Sequence, residues 1–127
     1  MSDHHLKVEP DWIQYGTCTY DDGEKTWQVY AKKREITCAI CASDLTAIGM
    51  LNAITETGLK VPDDISLVSF EGTDIVDMVR PRITSISQSF YEMGLAGIKF
   101  LTDGRTIQKQ YLPFKIVKRE STRHLEK

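Results

Sequence analysis

Two stretches of this chain, ITCAICAS at residues 36–43 and ISLVSF at residues 65–70, are apolar almost from end to end. Runs of that kind suit strands of a parallel sheet that are buried on both faces. Each run ends in polar residues. Ser43 and Asp44 follow the first, and either can cap the helix predicted over residues 45–57, where Ala47, Ile48, Leu51 and Ile54 fall on one face. Gly58 stands where a left-handed C-terminal residue is wanted. Glu71 and Gly72 follow the second run, a carboxylate and a residue that lets the backbone turn sharply.

Strand and helix patterns alternate on either side of this unit. WIQYG at residues 12–16 reads as a short first strand. Residues 21–34 read as a helix, with Trp27, Tyr30 and Ala31 at helical spacing, acids early and bases late. After Gly72 an extended piece holds Ile83 and Ile86. SFYE at residues 89–92 is a capping-box pattern that opens a helix carrying Phe90, Met93, Gly97 and Leu101, which stops at Gly104. Residues 111–117 read as a last strand. The fold class that follows is α/β, a mainly parallel sheet flanked by helices. In such sheets ligands bind outside the carboxyl ends of the strands. Residues at those ends, Cys18, Ser43, Asp44 and Glu71, therefore converge on one rim. A carboxylate beside a buried strand is costly unless paired, which leaves Glu71 open to a structural or a binding role. Asp44 alone suits a helix cap.

Other chemistries find little support. There is no G-x-S-x-G elbow, phosphate loop, G-x-G-x-x-G fingerprint or H-E-x-x-H, so the chain reads as a non-enzyme with no cofactor and no metal. Cys38 and Cys41, three apart on a strand, point to opposite faces and act as small apolar filler rather than metal ligands. With Cys18 they make an odd number, which favours a reducing compartment over a disulfide scaffold. The net charge of −2 leaves no electrostatic footprint for nucleic acid, and the KKR and VKRE runs read as solvated surface. No apolar run approaches a membrane span and no signal peptide opens the chain. Residues 1–11, with Asp3 to His5, read as a leader, residues 12–123 as one unit and 124–127 as a tail.

Three phrases, CAICASDLTAIGMLNAITETGLKVPDDISLVSFEGTD, RPRITSISQSFYEMGLAGIKFL and LPFKIVKRESTR, occur in the order and at the separations found in one family. Over residues 12–123 the chain resembles the C-terminal, periplasmic-binding-protein-like effector segment of lac-repressor/gal-repressor transcriptional regulators. The resemblance implies a two-lobed fold that closes on a small effector, usually a sugar or nucleoside. It also implies a cytoplasmic homodimer that meets operator DNA only through a headpiece absent from this sequence. It places Glu71 where the family usually has an aspartate that reaches ligand hydroxyls, a departure in side-chain length. Ser43 stands at a ligand-facing position, Cys18 on a loop that often carries a pocket residue, and Gln88 and Phe90 near the crossover between lobes. The helix near residues 89–103 belongs to the other lobe in the intact family. Phe90, Met93 and Leu101 are thus expected to lack their partners here, and the chain to dimerise, with or without a swap of this helix. The same fold serves exported sugar-binding transport proteins, which stand as the alternative; the cysteines and the VKREST ending favour the regulator.

Overall fold

A computed structural model describes residues 8–33, 35–103 and 109–124. The leader residues Asp3 to His5, the helix stop at Gly104 and the last three residues of the tail lie outside them. Helix α1 (Tyr20–Tyr30) is followed by strand β1 (Cys38–Cys41), helix α2 (Asp44–Glu56), strand β2 (Ser66–Ser69), strand β3 (Thr84–Gln88), helix α3 (Phe90–Thr102) and strand β4 (Phe114–Val117). The strands lie in the order β1-β2-β3-β4. β1 pairs with β2 and β2 with β3 in parallel, while β4 joins β3 antiparallel at the far edge. The parallel pairs put the carboxyl ends of β1, β2 and β3 on one side, which is the layout the site requires.

The core lies between α1, α2 and the sheet: Trp27, Tyr30, Ala47, Met50, Leu51, Ile54, Leu67 and Ile83 are all buried. Two glycines allow the helices to meet. A Cβ on Gly23 would lie 2.1 Å from the Thr46 carbonyl oxygen, and one on Gly49 would lie 2.1 Å from that of Tyr20. The α1–α2 contact is therefore backbone on backbone, closer than any side chain permits. Ser43 caps α2, its hydroxyl accepting from the Thr46 amide at 3.2 Å. Gly58 takes φ +82° beyond the end of α2.

Several expectations are corrected. WIQYG forms no strand: Pro10–Trp12 is a turn of 3-10 helix, favoured by Pro10 at its start, and the chain then runs extended without a sheet partner. It is nevertheless tied down, because the Tyr30 hydroxyl donates to the Trp12 carbonyl and Lys33 pairs with Asp11. The 3-10 turn is thus fastened to the end of α1, although none of its residues is buried. With that strand missing, β1 is an edge and not a centre. Ala39 and Cys41 are buried beneath the helices, whereas Cys38 and Ile40 face outward and Ile40 is 62% exposed.

Three smaller differences concern the helices and the VKRE run. Ala31 is the exposed C-cap of α1, outside its buried face. The reciprocal capping box is at Thr19 and Asp22, while at Ser89 only the serine half forms. The VKRE run is not all solvated surface: Arg119 donates to both Asp77 carboxylate oxygens, at 2.7 and 2.9 Å, to the Ser85 hydroxyl and to the Ile83 carbonyl.

Candidate functional site at the carboxyl ends of the strands

Hydrogen bonds link the loops after β1 and β2 to the end of β3. The Asp44 amide, at the first turn of α2, donates to Glu71 Oε2 at 3.0 Å. Asp44 returns the contact to the other loop: its carboxylate accepts from the Gly72 amide, the Thr73 amide and the Thr73 hydroxyl at 3.2, 2.7 and 2.7 Å. The Gln88 amide donates to the Glu71 carbonyl at 3.2 Å. On the other side, the Ser43 hydroxyl donates to the Cys18 carbonyl at 3.0 Å. Cys18, Ser43, Asp44, Glu71 and Gln88 thus follow one another along a single rim, and Phe90 begins α3 two residues further on.

Each position has a local cause. Gly72 adopts φ +73°, and a Cβ there would lie 2.8 Å from the Ser85 hydroxyl and from the Ser87 Cβ. Only glycine lets this turn press onto β3 and bring Glu71 back over α2. Cys18 is also left-handed, at φ +63°, a conformation that costs an L-residue about 1–2 kcal/mol. Its neighbours hold it: the Thr17 and Thr19 amides both donate to Asp22 Oδ2, and the Thr46 hydroxyl donates to the Thr19 carbonyl. The Thr19 and Thr17 amides lower the Asp22 carboxyl from 3.8 to about 2, the Thr19 amide contributing most.

The rim residues differ in what they have left to offer. Asp44 is 1% exposed and its oxygens are taken. Burial pushes its carboxyl up, but the Ser69 and Thr73 hydroxyls and the Thr73 and Gly72 amides outweigh that and hold it below the usual range. The Ser69 hydroxyl has no hydrogen bond of normal geometry among the described residues, so it acts as a nearby dipole rather than a full partner. The Ser43 hydroxyl is also spent, on Thr46 and Cys18. Asp44 and Ser43 therefore brace the rim from inside. Glu71 is half-buried, with Oε2 held at the positive end of α2 and Oε1 without a hydrogen bond among the described residues. Gln88 is half-buried and Phe90 is 52% exposed.

A separate cavity of about 740 Å³ flanks the open edge of β1, lined by Trp12, Ile13, Ile36, Ile40 and Met50 among others. Of the six residues expected at the site, only Cys18 lines it. Cys18 belongs to a loop before α1, not to a strand end. Cys41, also in this cavity, is a buried thiol pushed up to about 12 by desolvation and is chemically quiet. Cys38 and Cys41 do face opposite ways, and among the described residues no group of three or more His, Cys, Asp or Glu is arranged to hold a metal ion.

The Thr73 clamp on Asp44 and the Asp22 brace of the Cys18 loop escaped the sequence reading. The second had a local signal, the T-x-x-D spacing of a capping box before α1. The first had none, since 29 residues separate Asp44 from Thr73.

Comparison with known proteins accords with this geometry. A family model described as a periplasmic binding protein-like domain matches residues 1–122. Catabolite control protein A of Staphylococcus epidermidis is 35% identical over 102 residues, 80% of this chain and 31% of that protein. The HTH-type transcriptional repressor CytR of Escherichia coli is 33% identical over 99 residues, 77% of this chain and 29% of that protein. The chain thus spans about a third of the length of these relatives, which are named as regulators rather than enzymes. Among solved structures, a transcription regulator from Lactobacillus plantarum superposes with TM-score 0.87 at 36% identity, over 95% of this chain and 49% of that one. The LacI family regulator CCPA from Weissella paramesenteroides, with bound sucrose, gives 0.82 at 29%, over 95% and 46%. The match across nearly the whole chain, with a parallel sheet whose strand ends form one rim, places this protein in the periplasmic binding protein-like domain family, among its lac-repressor/gal-repressor members.

Proposed function

We propose that this chain is the effector-sensing segment of a transcriptional regulator of the lac-repressor/gal-repressor type, and that its effector is a sugar or another small polyhydroxyl compound such as a nucleoside. The observation that carries this reading is the Glu71 carboxylate, fixed through one oxygen at the N-terminus of α2 and open at the other. A charged acceptor held in that way suits a ligand hydroxyl, and such hydrogen bonds are worth about 1.5–3 kcal/mol. Gln88 and Phe90 supply an amide and an aromatic surface beside it, Cys18 flanks the other end, and Ser43 with Asp44 hold the rim in place. The sucrose in the Weissella relative favours the sugar class.

The segment catalyses nothing. It works in a cytoplasmic homodimer, and operator DNA is met by a headpiece outside this sequence. The effector acts by binding one arrangement of the regulator better than another. The regulator is preferred over an exported transport protein because the relatives named above are regulators. No helix among the described residues is long and apolar enough to cross a membrane.

A thermal-shift screen of sugars and nucleosides tests the reading. The true effector raises the melting temperature in proportion to ln(1 + [L]/Kd), and Glu71→Ala removes the shift. An undiminished shift in that variant takes Glu71 out of the site.

A further inference from the structure

Asp44 holds Glu71 from two directions. Its amide donates to Glu71 Oε2 at 3.0 Å, while its carboxylate accepts from the Gly72 amide at 3.2 Å and from the Thr73 amide and hydroxyl, both at 2.7 Å. The Glu71 side chain and the backbone that follows it are thus tied to one residue, 27 positions earlier in the sequence. Asp44 is itself fixed: it is the first residue of α2, directly after the Ser43 cap, and 1% exposed. A carboxylate buried to that degree is stable only with donors around it. Thr73 supplies both of the shorter contacts, and both converge on Oδ2. The Ser69 hydroxyl, a nearby dipole with no hydrogen bond of normal geometry among the described residues, does not replace them. Thr73 is exposed, so it does not serve the core.

From this we infer that Thr73 is a positioning residue of the effector site: acting through Asp44, its hydroxyl sets where Glu71 presents its open oxygen, Oε1. Charge-assisted hydrogen bonds from Thr73 draw the loop after β2 onto the start of α2. That keeps the Glu71 side chain within reach of the Asp44 amide. The same bonds offset the Asp44 charge, which otherwise repels the Glu71 carboxylate beside it. Without the Thr73 hydroxyl, Asp44 keeps the longer Gly72 contact on Oδ1 and the Thr73 amide alone on Oδ2. The loop then draws away from α2, and Glu71 Oε2 leaves the amide. What Oε1 meets rests on the effector reading above, whereas the aiming is a property of the chain without ligand.

Amide hydrogen exchange of the 127-residue chain, read residue by residue by NMR without ligand, tests this. As the first residue of α2, Asp44 has no helical partner for its amide. Its protection therefore reports the Glu71 contact, and Glu71→Ala abolishes it. Thr73→Val keeps the shape of the side chain and removes the hydroxyl. It is expected to speed exchange at the Asp44 amide by about tenfold or more, the size of effect that a hydrogen bond to a charged group carries. Thr73→Ser restores both the hydroxyl and the protection. The Leu51 amide, in the interior of α2, keeps its protection in each variant. No effector enters the measurement, so its failure is separate from that of the effector reading, which the thermal-shift screen decides. An Asp44 amide that exchanges freely in the unaltered chain, one as protected in Thr73→Val as before, a serine variant no better than the valine, or a loss that extends equally to Leu51 would each overturn the inference.

Discussion

Replacing Gly49 by alanine adds one methyl group, yet the structure predicts a large loss of stability. The new Cβ would lie 2.1 Å from the Tyr20 carbonyl oxygen and 2.9 Å from its carbon. A carbon and an oxygen come no closer than about 3.3 Å without repulsion, so α1 and α2 must separate by about 1.2 Å at their crossing. No flexible side chain can absorb that movement, because the clash is with backbone. Tyr20 is the first residue of α1 and is held by the Thr19–Asp22 capping box. Separation also loosens Trp27, Met50 and Ile54, which are packed beneath the crossing. Overpacking of this kind costs about 1–3 kcal/mol, and more where the backbone must shift. The gain in helix propensity returns about 1 kcal/mol. Because both clashing atoms are backbone, the cost lies at the upper end of that range, and about 3 less about 1 leaves a net loss of about 2 kcal/mol, or roughly 1 M in the urea midpoint for a domain of this size.

Urea unfolding followed by tryptophan fluorescence reads this directly, since Trp27 is 4% exposed. Gly23→Ala, whose Cβ meets the Thr46 carbonyl at 2.1 Å, loses a similar amount. The double variant loses less than the sum, because one separation of the helices relieves both clashes. A Gly49→Ala protein that unfolds at the wild-type urea concentration or higher, or a strictly additive double variant, would refute the backbone-contact account.

Ser121→Ala is expected to cost about 1–3 kcal/mol in the same assay, because the buried hydroxyl accepts from the Thr84 amide and donates to the Leu67 carbonyl, leaving both unsatisfied when removed. Acid unfolding carries a second signature. Asp22 titrates at about 2 when folded against an ordinary 3.8, and Asp44 is also lowered, so the unfolded chain binds more protons in this range. Their contribution is complete above the unfolded value and lost as pH falls from about 4 towards 2; Asp22→Asn should flatten the stability–pH curve over that interval when followed by circular dichroism, and an unchanged slope would remove Asp22 from the account.

The parts of the fold legible in the sequence were those whose causes are local. Helix α2 announced itself through Ala47, Ile48, Leu51 and Ile54 on one face, a serine cap before them and Gly58 after. The parallel pairing of β1 with β2 followed from two apolar runs separated by that helix. Gly72 declared a turn. What failed depended on neighbours. WIQYG has the composition of a strand, but a strand exists only by pairing, and no strand lies beside it among the described residues. For the same reason the β1 run did not reveal that one face would be open: apolar residues at Cys38 and Ile40 report a preference for burial, not its fulfilment. Ser121 was invisible as a structural residue because its partners Leu67 and Thr84 are 54 and 37 positions away.

At the rim, the same distinction separates residues that carry the site from residues that can answer a ligand. Ser43, Asp44 and Glu71 look alike in sequence, each a polar residue at a strand end. In the fold, Ser43 and Asp44 spend their oxygens on backbone amides and hydroxyls of their own chain, while Glu71 spends only one. The bond to the Asp44 amide also limits the directions Glu71 can take, so less side-chain entropy remains to be lost when a ligand hydroxyl reaches Oε1. An aspartate at this place, shorter by one methylene, would not reach the α2 amide and still face outward from the same backbone position. On the effector reading, Glu71→Asp should therefore weaken ligand binding more than the loss of one methylene accounts for, and should also lower the stability of the ligand-free chain. A Glu71→Asp protein with unaltered stability would show that the Asp44 contact contributes nothing, and the case for a pre-aimed acceptor would go with it.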